Sequence, residues 1–289
     1  MVKRLVLALP LAAVGAAWFL YLSLPWPVPL RWREPTRTAF MEHRLAEATA
    51  RGEALEIEFQ WVPLERISPH LRRAAIVAED ARFRDHRGID WAALREEVRY
   101  GGDTIFDWTD PDDLRALADA VRYYLEHRDE IRGRSTITQQ LAKNLYFSPE
   151  RSLLRKVAEF EVARRLERFL TKDRILELYL NTAEWGPGIF GAEAAARHYF
   201  GRSAAELTRD QAAALAATLP HPLTSNPKYR PGRMTWRKRM ILERMGGTAE
   251  STTDPSAAPL PEVKIPLAEP VLPLPKPPAD TGAAPISPR

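Results

Sequence analysis

Three groups of residues in this 289-residue sequence have the types and spacings that acid–base and phosphate chemistry require. The first is Glu79-Asp80-Ala-Arg-Phe83-Arg-Asp-His86-Arg-Gly88, where two carboxylates stand beside an aromatic ring and an imidazole. On a helix continued that far, Glu79, Phe83 and His86 fall at i, i+4 and i+7 and share a face. A carboxylate backed by an apolar ring holds its proton more tightly, which suits a base that removes a hydroxyl proton near neutrality. The same residues also read as a solvated Glu-Asp pair, with His86 capping the helix C-terminus against its dipole. The second group is Ser135-Thr136-Ile-Thr-Gln-Gln140-Leu-Ala-Lys143-Asn144. Ile137, Leu141 and Leu145 form an apolar stripe, and Thr136, Gln140 and Lys143 form a second stripe at the same spacing. Such a helix presents hydroxyl, amide and ammonium groups in a row to an elongated, phosphate-bearing ligand, with the free amides of its N-terminus nearby. A capped amphipathic helix with an ordinary polar face has the same pattern. In the third group, Arg151-Ser-Leu-Leu-Arg155-Lys156-Val-Ala-Glu159, cations converge on one carboxylate at helical spacing. As a surface network it contributes little to stability. As a site it offers guanidinium forks and an ammonium to a departing pyrophosphate.

Helices are the elements expected to position these groups. Ser68 and Pro69 form an N-cap and first helical residue for a helix running through Arg72 to about Phe83. Thr136 with Gln139, and Thr208 with Gln211, have capping-box spacing at the start of apolar-periodic runs. Further helices are expected around Arg115 to His127, Leu153 to Phe169, Lys172 to Asn181 and Arg233 to Met245. Apart from a short alternating stretch at Ile57 to Val62, little reads as strand, so the fold class is mainly α. Charged residues at 28% and hydrophobic residues at 45% fit a folded body. The absence of cysteine excludes thiolate zinc sites, disulfides and thiol nucleophiles. A net charge of +4 permits a phosphate or anionic-lipid partner without requiring one. Lys3 and Arg4 precede an uncharged apolar run to Leu24, long enough to cross a bilayer as a helix, and the basic flank favours a cytoplasmic N-terminus; a cleaved signal peptide is the alternative, but the run is long for one and no clear small-x-small site precedes Pro25. The domain expectation is a membrane anchor at 1–26, a linker or docking segment at 27–56, a catalytic body at 57–246 and a Pro-rich disordered tail at 247–289.

Taken in order, Glu79-Asp-x-x-Phe-x-x-His-x-Gly, Ser135-Thr-Ile-Thr-Gln-Gln-x-x-Lys-Asn, Arg155-Lys-x-x-Glu159 and Ile175-Leu-Glu-x-Tyr-Leu-Asn181 resemble glycosyltransferase family 51. The resemblance spans roughly Val62 to Met245 and leaves no room for a transpeptidase domain. It implies a lysozyme-like, mainly helical glycosyltransferase domain that polymerises lipid II into β(1→4) glycan, with inversion at the donor MurNAc carbon and release of undecaprenyl pyrophosphate. It further implies Glu79 as the base that deprotonates the acceptor 4-hydroxyl and Glu159 as the second catalytic carboxylate, organising the pyrophosphate side. Ser135, Thr136, Gln140, Lys143, Asn144, Arg151, Arg155 and Lys156 would bind donor and pyrophosphate, while Asp80, Phe83 and His86 would orient Glu79. A divalent cation, magnesium or manganese, is admitted by the resemblance and no other cofactor is implied. Lipid II, the growing lipid-linked glycan, the membrane and other cell-wall synthesis proteins are the implied partners, and nucleic acid is not among them. The implied location is the bacterial cytoplasmic membrane, with the body outside. Two features depart from the family pattern. Arg134 stands where Gly or Ala is usual, and the stretch from Gly88 to Gly133 is long, with Trp91, Ile105, Phe106 and Trp108 expected either in core packing or against lipid headgroups. A helical hydrolase with a catalytic glutamate and a silent membrane scaffold are the competing classes; the hydrolase gives Lys143, Arg151, Arg155 and Lys156 no common purpose, and the retained Glu79 and Glu159 argue against the scaffold.

Overall fold

The computed structural model describes Gly15, Trp18, Phe19 and residues 21–103, 105–127, 135–148 and 152–246. The expected tail at 247–289, most of the expected anchor, Arg134 and Arg151 lie outside the described residues. Among the described residues no helix is long and apolar enough to cross a membrane. The body is mainly helical, as the sequence pattern requires. Its helices are α1 (Ala39–Ala50), α2 (Pro69–Glu79), α3 (Trp91–Glu97), α4 (Pro111–His127), α5 (Ile137–Tyr146) and α6 (Leu153–Phe169). They continue as α7 (Lys172–Thr182), α8 (Ala192–Phe200), α9 (Arg209–Thr218) and α10 (Gly232–Arg244). A small sheet of β1 (Glu58–Phe59), β3 (Ile189–Phe190) and β2 (Glu184–Gly186), in that order, pairs β1 parallel and β2 antiparallel to β3.

Helix starts follow the local chemistry closely. Ser68 accepts from the His70 amide with Pro69 at the first turn, and both expected capping boxes form, Thr136 with Gln139 and Thr208 with Gln211. The apolar stripe of α5, Ile137, Leu141 and Leu145, enters a core shared with Leu71, Phe83, Val162, Leu166, Ile175, Leu178, Tyr179 and Trp185. A second cluster joins Ala74 of α2 to Ala213, Ala216 and Ala217 of α9 and to Met234 and Ile241 of α10. Its alanines let α2 and α9 approach closely. Helix α2, which ends at Glu79, is therefore gripped on two sides.

Three expectations need correction. Helix α2 stops at Glu79, and Asp80 adopts φ −160°, ψ 75°, so Glu79, Phe83 and His86 do not share a helical face. The turn that follows buries Phe83 completely in the core instead. The body also begins before residue 57, because the segment expected to link and dock is folded onto it. Met41 and Ala48 of α1 are buried, and Arg165 of α6 donates to the carbonyls of Tyr21 at 2.7 Å and Leu24 at 2.9 Å. Arg174 of α7 likewise donates to Leu30 and Arg33 carbonyls, each at 2.8 Å. Finally, core packing does not claim the large apolar side chains of the long stretch: Trp91, Ile105 and Trp108 are exposed, and Phe106 packs edge-on to Trp108 with centroids 4.7 Å apart.

Asn181 ties the chain ahead of α2 to α7. Its carboxamide accepts from the Val62 amide at 3.0 Å and donates to the Val62 carbonyl at 2.9 Å, across 119 residues of sequence. The side chain is fully buried. An Asn181→Ala substitution strands both Val62 groups and should lower unfolding free energy by about 2 to 4 kcal/mol, read from urea denaturation of the detergent-purified chain. An unchanged midpoint would show that this tie is dispensable.

Candidate active site

The three sequence groups meet where the C-terminus of α2, the N-terminus of α5 and the first turns of α6 come together. Asp80 makes the junction. Its Oδ2 accepts from the Ile137 amide at 3.0 Å, and its carboxylate accepts from His86 Nε2 at 2.9 Å. Because the Gly88 amide donates to His86 Nδ1 at 3.2 Å, the imidazole proton sits on Nε2 and points at Asp80. Thr136 closes the loop by donating to the Gly88 carbonyl at 2.6 Å. Gly88 has φ +90°, and a Cβ there would come within 3.2 Å of Glu167 Cγ and 3.3 Å of the Ala163 carbonyl oxygen, so only glycine fits without strain.

With the junction fixed, Glu79 is held over α5. Gln140 Nε2 donates to Glu79 Oε2 at 2.9 Å and Arg237 Nη2 of α10 donates to Oε1 at 3.0 Å. The Glu79 side chain is 11% exposed. Burial raises its pKa above the ordinary carboxylate value, against the opposing pull of the Gln140 hydrogen bond, Arg237 and Lys143. Phe83, expected to back this carboxylate, is itself fully buried in the core. The Phe83 ring instead carries the Lys172 ammonium 4.4 Å from its centroid.

Glu159 lies one turn along α6 from its two cations. Lys156 Nζ is 2.6 Å from Oε1 and Arg155 Nη1 is 3.0 Å from Oε2, while Lys156 also donates to Ser135 Oγ at 3.0 Å. At 2% exposure Glu159 is no surface residue, which removes the solvated-network reading. The Nε atoms of Arg155 and Arg237 are buried and have no partner among the described residues. Lys143 connects the two carboxylate centres. Its pKa is lowered, first by burial and then by Arg155 and Lys156, with Glu159 and Glu79 both acting to hold its proton. Its ammonium lies 5.8 Å from the Phe40 ring centroid of α1.

The expected polar row on α5 is only partly presented to the cleft. Thr136 is buried with its hydroxyl spent on the capping box and on Gly88, and Asn144 is buried as well. Gln140 spends its amide on Glu79 and on the Ser135 carbonyl at 3.2 Å, and Tyr179 donates to its Oε1 at 3.0 Å. Lys143 and Ser135 remain as the groups of that row turned toward the cations of α6. Sequence reasoning missed Arg237, Tyr179 and the Arg44–Glu184 pair. In that pair Arg44 Nε and Nη2 each donate to the Glu184 carboxylate at 2.9 Å, locking α1 beside Lys143. Burial raises the pKa of Glu184 despite Arg44. Tyr179 lies within the motif that the sequence singled out, but its partner is 39 residues away. Asp80, His86 and Asp90 are the one group among the described residues whose ligand atoms lie within 4.8 Å of one another, as a metal would need. Each is committed elsewhere, Asp80 to Ile137 and His86, and Asp90 to Arg82 at 2.9 Å and the α3 N-terminus at 3.0 Å.

A buried base candidate facing a cationic cluster around a second carboxylate is a site for group transfer to a hydroxyl with an anionic leaving group. The family model described as Transglycosylase matches residues 47–101 and 103–246, and the chain belongs to that family as a glycosyltransferase enzyme. It is 43% identical over 214 residues to the biosynthetic peptidoglycan transglycosylase of Bordetella pertussis, covering 74% of this chain and 81% of that relative. It is also 42% identical over 245 residues to the protein of the same name from Nitrosomonas europaea, covering 85% and 89%.

Removing the junction should loosen the site before it touches the chemistry. Asp80→Ala leaves the Ile137 amide and the His86 proton without their acceptor, and should cost about 1 to 3 kcal/mol of stability. Thermal unfolding monitored by circular dichroism checks this, and a variant as stable as the parent would remove Asp80 from its positioning role.

Proposed function

We propose that this enzyme polymerises lipid II into β(1→4) peptidoglycan strands, inverting the donor MurNAc anomeric carbon and releasing undecaprenyl pyrophosphate. The observation that carries the reading is the pairing of Glu79, buried with a raised pKa, with a cation set around Glu159 that Lys143 joins to it electrostatically. The peptidoglycan names of the relatives support the substrate class. Glu79 takes the proton of the acceptor 4-hydroxyl, whose oxygen forms the new bond to the anomeric carbon as the bond to the phosphate oxygen breaks. The electron pair leaves with the pyrophosphate. One displacement from the opposite face inverts the centre. Lys143, Arg155 and Lys156, with Arg151, stabilise the departing charge. Ser135, Gln140 and Asn144 line or support the donor groove, and a divalent cation would join the pyrophosphate there. A hydrolase has no use for this set of cations.

In the same reading the fold is lysozyme-like, residues 1–26 anchor the chain in the cytoplasmic membrane, and the body faces outward. The exposed side chains of Trp32, Ile105, Trp108 and Leu125 are apolar groups suited to a lipid boundary. Residues 247–289 form a Pro-rich tail available to cell-wall synthesis proteins.

Incubating the detergent-purified chain with lipid II tests the reaction directly. Glu79→Gln should reduce polymer formation by about 10² to 10⁴-fold with donor affinity retained, because it removes the proton acceptor at nearly constant volume. Turnover close to the parent's would refute Glu79 as the base. For Arg155→Ala the expected signature is a fall in turnover number at saturating lipid II in a fully folded protein, since the lost contact matters most as the leaving charge develops. An effect confined to KM would place Arg155 in ground-state binding only.

A further inference from the structure

Gln140 meets three neighbours at once, and they allow its amide only one orientation. Nε2 faces the Glu79 carboxylate at 2.9 Å and the Ser135 carbonyl at 3.2 Å, both acceptors, while Oε1 faces the Tyr179 hydroxyl at 3.0 Å. Tyr179 is 1% exposed and sits on α7 with its ring in the core. Gln140 is the sole partner described for its hydroxyl. From these contacts we infer that Tyr179 is a positioning residue for the transfer reaction: its hydroxyl anchors the Gln140 amide, and the amide thereby holds Glu79 in its charged, proton-accepting form. The inference rests on Glu79 being the base.

The physical reasoning concerns what each group can offer. The Glu79 carboxylate is faced by Gln140 and Lys143 of α5, Arg237 of α10, Tyr179 of α7 and its own neighbour Asp80. Arg237 fixes Oε1, so among the described residues Gln140 is the only neutral donor on Oε2. An amide whose oxygen accepts a hydrogen bond is polarised, and its N–H donates more strongly to the next group in the chain. Burial pushes the Tyr179 phenol well above its ordinary pKa, so it remains a protonated donor throughout the working range. Without it, the partly buried Gln140 Oε1 loses the donor that holds it, and the amide is held only by the acceptors it is meant to serve.

The sign of the effect follows. Catalysis needs Glu79 deprotonated, so the rate falls as pH falls through its pKa. A weaker donor on Oε2 favours the protonated acid and moves that acid limb to higher pH. The test is the pH dependence of glycan formation from lipid II at saturating donor, for the parent chain, Tyr179→Phe, Gln140→Ala and the double variant. Tyr179→Phe should move the acid limb upward by about half a pH unit or more, with the donor KM little changed. Gln140→Ala should move it further in the same direction, and adding Tyr179→Phe to Gln140→Ala should shift it no more. An unmoved limb in Gln140→Ala overturns the inference even if Tyr179→Phe folds poorly. Additive shifts in the double variant overturn it too, because Tyr179 would then act by another route. Failure of the base assignment itself looks different: the parent would show no acid limb at all, and Glu79→Gln would turn over normally.

Discussion

The active site depends on one junction, the carboxylate of Asp80 bonded to the first amide of α5. That bond joins the end of α2 to the start of α5 through a group that belongs to neither helix's regular hydrogen bonding. The imidazole of His86 and the hydroxyl of Thr136 close the same loop from the other side, so the turn from Asp80 to Gly88 is pinned at both ends. Two adjacent acids thus have opposite fates. Asp80 is absorbed by the N-terminus of a helix and an imidazole proton, while Glu79 is left at the last residue of α2, enclosed by Gln140 and Arg237.

Enclosure explains why Glu79 is suited to accept a proton. Burial favours its protonated form, and the Gln140 hydrogen bond, Arg237 and Lys143 oppose that tendency. Across the site the same balance runs in reverse. Glu159 is nearly inaccessible and bracketed by Arg155 and Lys156, which fixes the two cations about one carboxylate. Lys143 lies in the field of both carboxylates, so a change at either end is felt by the other.

The surrounding fold serves this arrangement by fixing helix ends. Alanine contacts bring α9 and α10 against α2, which is what allows Arg237 to reach Glu79. On the opposite flank, the Arg44–Glu184 pair and the Phe40 ring set α1 beside Lys143. The arginines of α6 and α7 that grip the backbone from Tyr21 to Arg33 give the chain entering the body a fixed path.

The sequence by itself determined the helical class, the helix starts and the residues from which the site is built. Capping boxes, Pro at a first turn and i, i+4 stripes act over a few residues, so Thr136, Thr208 and Ser68 announce their helices without help from the fold. The Arg155, Lys156 and Glu159 cluster was legible for the same reason. Tertiary structure decided where α2 stops and what surrounds Glu79. The helix pattern could have run on to Phe83, but the core took the Phe83 ring and the start of α5 took Asp80. Arg237 reaches Glu79 across 158 residues and Tyr179 reaches Gln140 across 39, and no local period encodes such meetings. They arise only when packed helices bring distant side chains into one largely enclosed space, where burial gives each remaining hydrogen bond its weight.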